Sequence, residues 1–222
     1  MRFVTLRLTL LLLVVAAVSC GESESDSGGV SKAYDAYPSV EVDPDRPYNA
    51  IFTTSVGRMT FNLLPAEAPL AVASFAFLAN EGFYDGLTFF RVLPGVLAES
   101  GDATGSGTGD AGYTFEIEPP QRPYARGLIA MANTGPPNSN GSRFFIILGD
   151  LSTVPGEYTI FGHIKEGHGP SEKTLAKIDG VPVGPAPNGE VSLPQEEIEV
   201  MSVKVIEGCR AGMSMWTQGC GA

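Results

Sequence analysis

The sequence predicts a mainly β domain of the kind that closes into an antiparallel barrel and carries two helices. Three observations predict it. Short apolar segments of strand length recur from Ala50 to Ile206, and only two stretches show helical spacing. The 27 glycines and 17 prolines among 222 residues supply long, turn-rich connections. A barrel leaves no exposed sheet edge. Periodicity alone does not separate it from a sandwich.

In chain order, residues 50–54 and 58–63 alternate across Ser55-Val56-Gly57 as a β-hairpin. Pro69 opens a helix to about Asn80, with Val72, Phe75, Ala76 and Ala79 on one face and Gly82 just past its end. Residues 87–92, 96–100, 127–132, 143–148 and 159–164 read as further strands. Ser171 is placed to cap a second helix ending at Ile178. The last strand, 198–206, has apolar Ile198 and Val200 on even positions, then Val203 and Val205 on odd ones. Such a change of phase predicts a bulge near Met201.

The folded domain is assigned to residues 47–208, between two segments of different character. Residues 1–20 read as an export signal: Arg2 and Arg7 precede an apolar run over 8–18, then Ser19 and Cys20. That run is too short for a bilayer core, which needs roughly twenty residues. Ala17-Val18-Ser19-Cys20 resembles a bacterial lipobox, with alanine where leucine is usual. It implies lipidation of Cys20 and a membrane-anchored lipoprotein of the cell envelope; plain signal-peptidase cleavage nearby is the alternative. Residues 21–46, rich in Ser, Gly, Asp and Glu, read as a disordered tether. In the tail, 209–222, Cys209 and Cys220 are expected to pair, as two spare cysteines of an exported chain do. Neither has a CxxC partner or a nearby histidine, so no metal site is assigned, and His163 and His168 are read as exposed.

Charge narrows the partners. With 25 acidic against 14 basic residues the formal net charge is −11, which repels phosphate backbones and argues against nucleic acid.

The residues with chemical potential concentrate in Phe89-Phe90-Arg91-Val92-Leu93-Pro94-Gly95, Met131-Ala132-Asn133-Thr134-Gly135 and Asn140-Gly141-Ser142-Arg143-Phe144-Phe145-Ile146-Ile147. With Ile160-Phe161-Gly162-His163-Ile164 these segments resemble, in the same order, the framework of the cyclophilins, the β-barrel peptidyl-prolyl cis–trans isomerases. The resemblance covers about Asn49 to Glu207. It implies eight strands with a helix capping each open end, no cofactor, a monomer, and proline-containing polypeptides as partners. Isomerisation breaks no covalent bond. Its obstacle is amide resonance, a barrier of roughly 18–20 kcal/mol. In the twisted amide the proline nitrogen regains its lone pair, so one fixed donor beside an apolar slot is the minimal apparatus.

Position by position, the resemblance implies that Arg91 is the catalytic arginine and that Phe145 floors the proline pocket. Ala132 and Asn133 match residues whose backbone lies along the substrate, and Tyr158 borders the pocket. The pattern also departs from the family. Val96 stands where a phenylalanine of the wall is usual, and Leu97 where a methionine is. Glu99 replaces a glutamine that orients the arginine, Arg143 replaces another glutamine, and Thr153 falls where tryptophan is common. Gly101-Asp102-Ala103-Thr104-Gly105-Ser106-Gly107-Thr108-Gly109 resembles the family's Gly-rich loop. It is not a phosphate loop, because no Gly-Lys-Ser/Thr ends it and no helix follows. The expectation is thus an isomerase of Xaa-Pro bonds in exported or envelope proteins. The rival is a module that keeps the proline-binding groove but no longer turns its peptide over.

Overall fold

The structure, a computed structural model, describes residues 33–135, 138–151 and 156–209. Cys20, Thr153 and Cys220 lie outside the described residues. Cys209 is half of a disulfide. The elements are β1 (Tyr48–Thr54), β2 (Gly57–Leu63), α1 (Pro69–Asn80), β3 (Leu87–Thr88), β4 (Arg91–Leu93), β5 (Leu97–Ser100) and β6 (Leu128–Met131). They continue with β7 (Phe144–Ile147), β8 (Ile160–Ile164), α2 (Gly169–Asp179), β9 (Val183–Pro185), β10 (Val191–Pro194) and β11 (Glu199–Glu207).

The main sheet is antiparallel throughout, in the order β3-β11-β1-β2-β8-β6-β7-β5-β4. Its two ends are halves of one segment, bent at Phe89-Phe90. The first half pairs with β11 and the second with β5. Ser100 Oγ donates to Thr88 O at 2.9 Å and stitches β5 back to the first half. Counted as one bent strand, β3 and β4 make the expected eight, and this shared segment closes the sheet on itself. The bulge falls where the phase change placed it. Thr53 pairs with Ser202 and Thr54 with Val200, leaving Met201 unpaired and 54% exposed.

The interior is filled by rings. Phe52, Phe61, Phe144 and Phe161 point in from the wall, and α1 adds Phe75. Phe75 lies 5.0 Å from Phe161 and 5.1 Å, stacked, from Tyr84, between centroids. Such a core leaves no room for a second set of side chains, so every other wall residue must face outward. α2 buries Leu175 and Ile178 in the same cluster.

Three features differ from the sequence-based expectation. Ser171 does not cap α2: the cap position is His168, Pro170 occupies the first turn, and Ser171 Oγ instead accepts the amide of Thr60 on β2 at 2.9 Å. Residues 33–46, assigned to the tether by composition, lie on the barrel. Tyr34 meets Phe77 edge to face, its amide donates to Ala111 O at 2.8 Å, and Tyr37 donates to Leu70 O at 2.8 Å. Two tyrosines with Val42 supply apolar contact that an average over a polar segment conceals. Third, the hairpin β9–β10 occupies a stretch to which no element was assigned. Pro182, Pro185, Pro187 and Pro194 erase the alternation that marks strands.

The start of α1 is capped from a distance. Ala68 offers no side-chain acceptor, and the Glu118 carboxylate takes the amides of Leu70 and Ala71, both at 2.9 Å. Glu118→Ala should therefore cost about 1 kcal/mol, or a fall of roughly 2–4 °C in the thermal midpoint. An unchanged midpoint in calorimetry would show that water caps the helix equally well.

Candidate active site

The barrel's register builds the site. Arg91 on β4 pairs with Glu99 on β5, Glu99 with Phe145 on β7, and Phe145 with Ala130 on β6. These four form one row across four strands, facing away from the ring-filled interior. Strands lie about 4.8 Å apart, so Arg91 and Phe145 stand roughly 10 Å apart at the backbone with Glu99 between them. Phe144, one residue away, points into the core. A slip of one residue in β7 would exchange the two rings.

Outward does not mean solvent-exposed here. Phe145, Ala130, Ala132, Ile147, Leu128, Ile160 and Tyr124 form a second apolar cluster outside the barrel, with Leu97, Leu151 and Tyr158 packed against it. This cluster walls a cavity of about 420 Å³. All nine residues named from the sequence line it: Arg91, Val96, Leu97, Glu99, Ala132, Asn133, Arg143, Phe145 and Tyr158. Phe145 meets Tyr158 edge to face at 5.3 Å. Tyr158 is fixed by Tyr124, whose hydroxyl accepts the Tyr158 amide at 2.8 Å and donates to its carbonyl at 3.0 Å. Ala132 N donates to Arg143 O at 3.0 Å, and Asn133 Nδ2 to Glu157 O at 2.8 Å. Val96 follows the Pro94-Gly95 turn, where Val96 N donates to Leu93 O at 2.9 Å and Gly95 has φ +72°. The Gly95 amide is held by Asp179 Oδ1 at 2.7 Å.

Leu93, Tyr124 and Leu151 complete the lining and were not anticipated. Leu93 lies two residues after Arg91 on one strand, so period-2 alternation would have found it. Tyr124 and Leu151 come from connecting segments, where no period exists to read.

The polar side is a chain of charges. Arg91 Nη1 donates to Glu99 Oε2 at 3.2 Å, and Arg143 Nη1 to Glu99 Oε1 at 3.3 Å. Glu99 is 7% exposed, and two guanidiniums supply the donors its burial requires. Arg91 has a second carboxylate partner that the sequence did not reveal. Glu190, on the β9–β10 turn, accepts Nε at 2.7 Å and Nη2 at 3.0 Å in a two-point pair. The Arg91 bonds, helped by Ser192, pull the Glu190 carboxyl down to about 2. Bonding to Glu190 raises Arg91 in turn, against its partial burial.

A neighbouring cavity of about 620 Å³ shares Arg91, Glu99 and Arg143 and is walled by the Gly-rich loop and the β9–β10 hairpin. Asp102, 3% exposed, organises that loop. It accepts Thr104 N and Thr104 Oγ1 at 2.7 Å, Gly107 N at 2.5 Å and Gly109 N at 3.1 Å. Burial alone would raise its pKa, but these bonds outweigh burial and hold it below the usual carboxylate range.

The family model described as cyclophilin type peptidyl-prolyl cis-trans isomerase/CLD matches residues 50–205. The chain belongs to that family. It is a cyclophilin-type peptidyl-prolyl cis–trans isomerase. A peptidyl-prolyl cis-trans isomerase-like 1 of Gibberella zeae is 32% identical over 164 residues, covering 72% of this chain and 95% of the relative. The peptidyl-prolyl cis-trans isomerase B of Bacillus subtilis is 43% identical over 112 residues, 50% of this chain and 78% of the relative. The crystal structure of a Cryptosporidium parvum cyclophilin type isomerase matches with a TM-score of 0.64 and 30% identity, covering 72% of this chain and 97% of that one. The structure of the same Cryptosporidium protein in the presence of the dipeptide Ala-Pro matches with a TM-score of 0.63 at 30% identity, over 71% of this chain and 98% of that one.

Against this isomerase family's pattern, Val96 leaves the wall one ring short. Val96→Phe should tighten an Ala-Pro peptide by about 1–3 kcal/mol, measured by calorimetry. Unchanged affinity would mean that Leu93 or Leu151 already fills the space.

Proposed function

We propose that this isomerase acts on Xaa-Pro bonds of exported or envelope proteins, from a position at the cell envelope held through lipidated Cys20. Arg91 donates to the proline nitrogen as the amide twists, and Phe145, Leu97 and Val96 enclose the ring. Ala132 and Asn133 border the peptide backbone, with Tyr158 at the rim and Glu99 and Arg143 setting the charge around Arg91. The observation that carries the reading is the half-buried guanidinium of Arg91 beside a cavity floored by the ring of Phe145. The Cryptosporidium protein solved in the presence of Ala-Pro supports a proline-containing ligand.

The arrangement suits a reaction without a covalent intermediate. Of five N–H groups on Arg91, Glu190 and Glu99 engage three, and two remain for a substrate. They are fixed before the substrate arrives, so little reorganisation accompanies twisting. A flat apolar floor grips the pyrrolidine ring without preferring either planar isomer, and selective help comes only where the nitrogen becomes basic. Those two free donors favour turnover over a module that merely retains its peptide.

Location rests on the sequence alone: a basic start, a short apolar run and the lipobox-like Ala17-Val18-Ser19-Cys20. Among the described residues no helix is long and apolar enough to cross a membrane. A lipid on Cys20 would provide the attachment, with the acidic Ser/Gly segment behind it as spacer. Intact mass of the mature chain should show acyl groups on an N-terminal Cys20, and Cys20→Ala should shift the chain to the soluble fraction. An unmodified N-terminus near that residue would leave export standing and remove the anchor.

Exchange NMR on an Ala-Pro peptide tests the activity. The wild-type domain should accelerate cis–trans exchange. Arg91→Ala should lower turnover by about 10²–10³, the usual effect of losing one transition-state donor, with a smaller loss of peptide affinity. Equal turnover by both proteins would take Arg91 out of the mechanism.

A further inference from the structure

We infer that Glu190 is a positioning residue for the isomerase reaction, clamping Arg91 from outside the proline cavity. The inference rests on the reading that Arg91 acts on the twisted amide.

The geometry distinguishes a clamp from a competitor. Glu190 lines the cavity beside the Gly-rich loop and not the one floored by Phe145, whereas Arg91 lines both. The carboxylate thus reaches the guanidinium from the side away from where a proline ring would sit. It takes the Nε and Nη2 hydrogens, a planar two-point contact that fixes the rotation of the guanidinium plane. Glu99, on Nη1, makes a single contact and divides its oxygens between Arg91 and Arg143, so it cannot fix that plane alone.

The hairpin is built to present this carboxylate. Asn188 Oδ1 accepts the Glu190 amide at 3.0 Å, Ala186 N donates to Glu190 O at 2.7 Å, and Gly189 takes φ +85° at the turn. Ser192 on β10, 2% exposed, donates its amide to Glu190 O at 3.1 Å and ties the turn to that strand. The strand carrying Glu190's neighbours, β10, packs on β4, the strand that carries Arg91. Charge balance points the same way: Arg91 and Arg143 are matched by Glu99 and Glu190, and losing Glu190 leaves one positive charge in excess. A guanidinium without its clamp samples more rotamers, and the fraction aimed at the proline nitrogen falls.

The test compares wild type, Glu190→Gln, Arg91→Ala and the double variant in peptide exchange NMR, with peptide affinity measured alongside. Glu190 is one-third exposed at a turn, so the amide should leave the fold intact. The expected result is a roughly tenfold loss of turnover in Glu190→Gln, affinity within about twofold, and no further loss in the Arg91→Ala background. The Arg91 Nε–H resonance, held by the carboxylate in wild type, should shift and exchange faster with water in Glu190→Gln. Wild-type turnover in Glu190→Gln would overturn the proposal, as would a gain, which would make the carboxylate a competitor. A loss of equal size in both backgrounds would also overturn it, because Glu190 would then act without Arg91. Full turnover in Arg91→Ala would instead overturn the parent reading of Arg91.

Discussion

The filling of the barrel interior is the constraint on which the rest depends. Phe52, Phe61, Phe75, Phe144, Phe161 and Tyr84 occupy the space within the closed sheet at ring-centroid spacings near 5–6 Å. With the inside full, alternate residues on β4, β5, β6 and β7 have only the outer face available, and they line up there as Arg91, Glu99, Phe145 and Ala130. The site is thus a by-product of packing order: what fixes the core register also fixes which side chains stand together outside it. Truncating one interior ring typically costs about 3–5 kcal/mol, far more than any single contact in the site. The core therefore sets the geometry and the site accepts it.

The ion pairs around Arg91 contribute order more than stability. Pairs between partly exposed groups add on the order of 0–1 kcal/mol, so removing Glu190 should barely disturb folding. Their value is directional. A guanidinium bonded on two sides has few rotamers left, and Arg91 keeps two N–H groups beyond those bonds on the wall of the cavity. The floor behaves differently: Phe145 and Tyr158 meet edge to face in an apolar contact that imposes no fixed direction on what lies against it. One rigid polar wall facing one tolerant apolar wall suits a reaction in which the ring stays put while the preceding carbonyl swings.

Much of this was legible in the sequence, for identifiable reasons. Alternation and helical spacing located the strands and α1, and a phase change within one strand placed the bulge at Met201. The resemblance named nine residues that share one cavity. What escaped detection lacks period. The β9–β10 hairpin is broken by four prolines in its neighbourhood, so its carboxylate gave no sign that it would meet an arginine 99 residues earlier. Residues 33–46 look like solvent-loving chain until Tyr34 and Tyr37 find Phe77 and Tyr113. Ser171 has the chemistry of a cap but stands in the first turn of its helix, where its hydroxyl serves the neighbouring strand. A Phe-Phe pair in an apolar strand reads as core, which is right for Phe144; Phe145 is also buried, in a different cluster.

The departures at Glu99 and Arg143 make sense only as a pair. Where the family pattern has two neutral glutamines, this chain has an acid and a base, joined at 3.3 Å across the β5–β7 ladder. Arg143 gives the Glu99 carboxylate, 7% exposed, a second guanidinium beside Arg91, and burying a carboxylate without enough donors costs several kcal/mol. Together they restore neutrality and keep an acceptor on Arg91 Nη1, the place a glutamine oxygen would serve. Arg143 also donates to Gly107 O at 2.7 Å, so the same exchange ties the Gly-rich loop to the barrel wall. Seen this way, Glu99 and Arg143 do not weaken the polar side of the site. They rebuild it with charged parts that cancel each other, while the charge on Arg91 is balanced separately by Glu190.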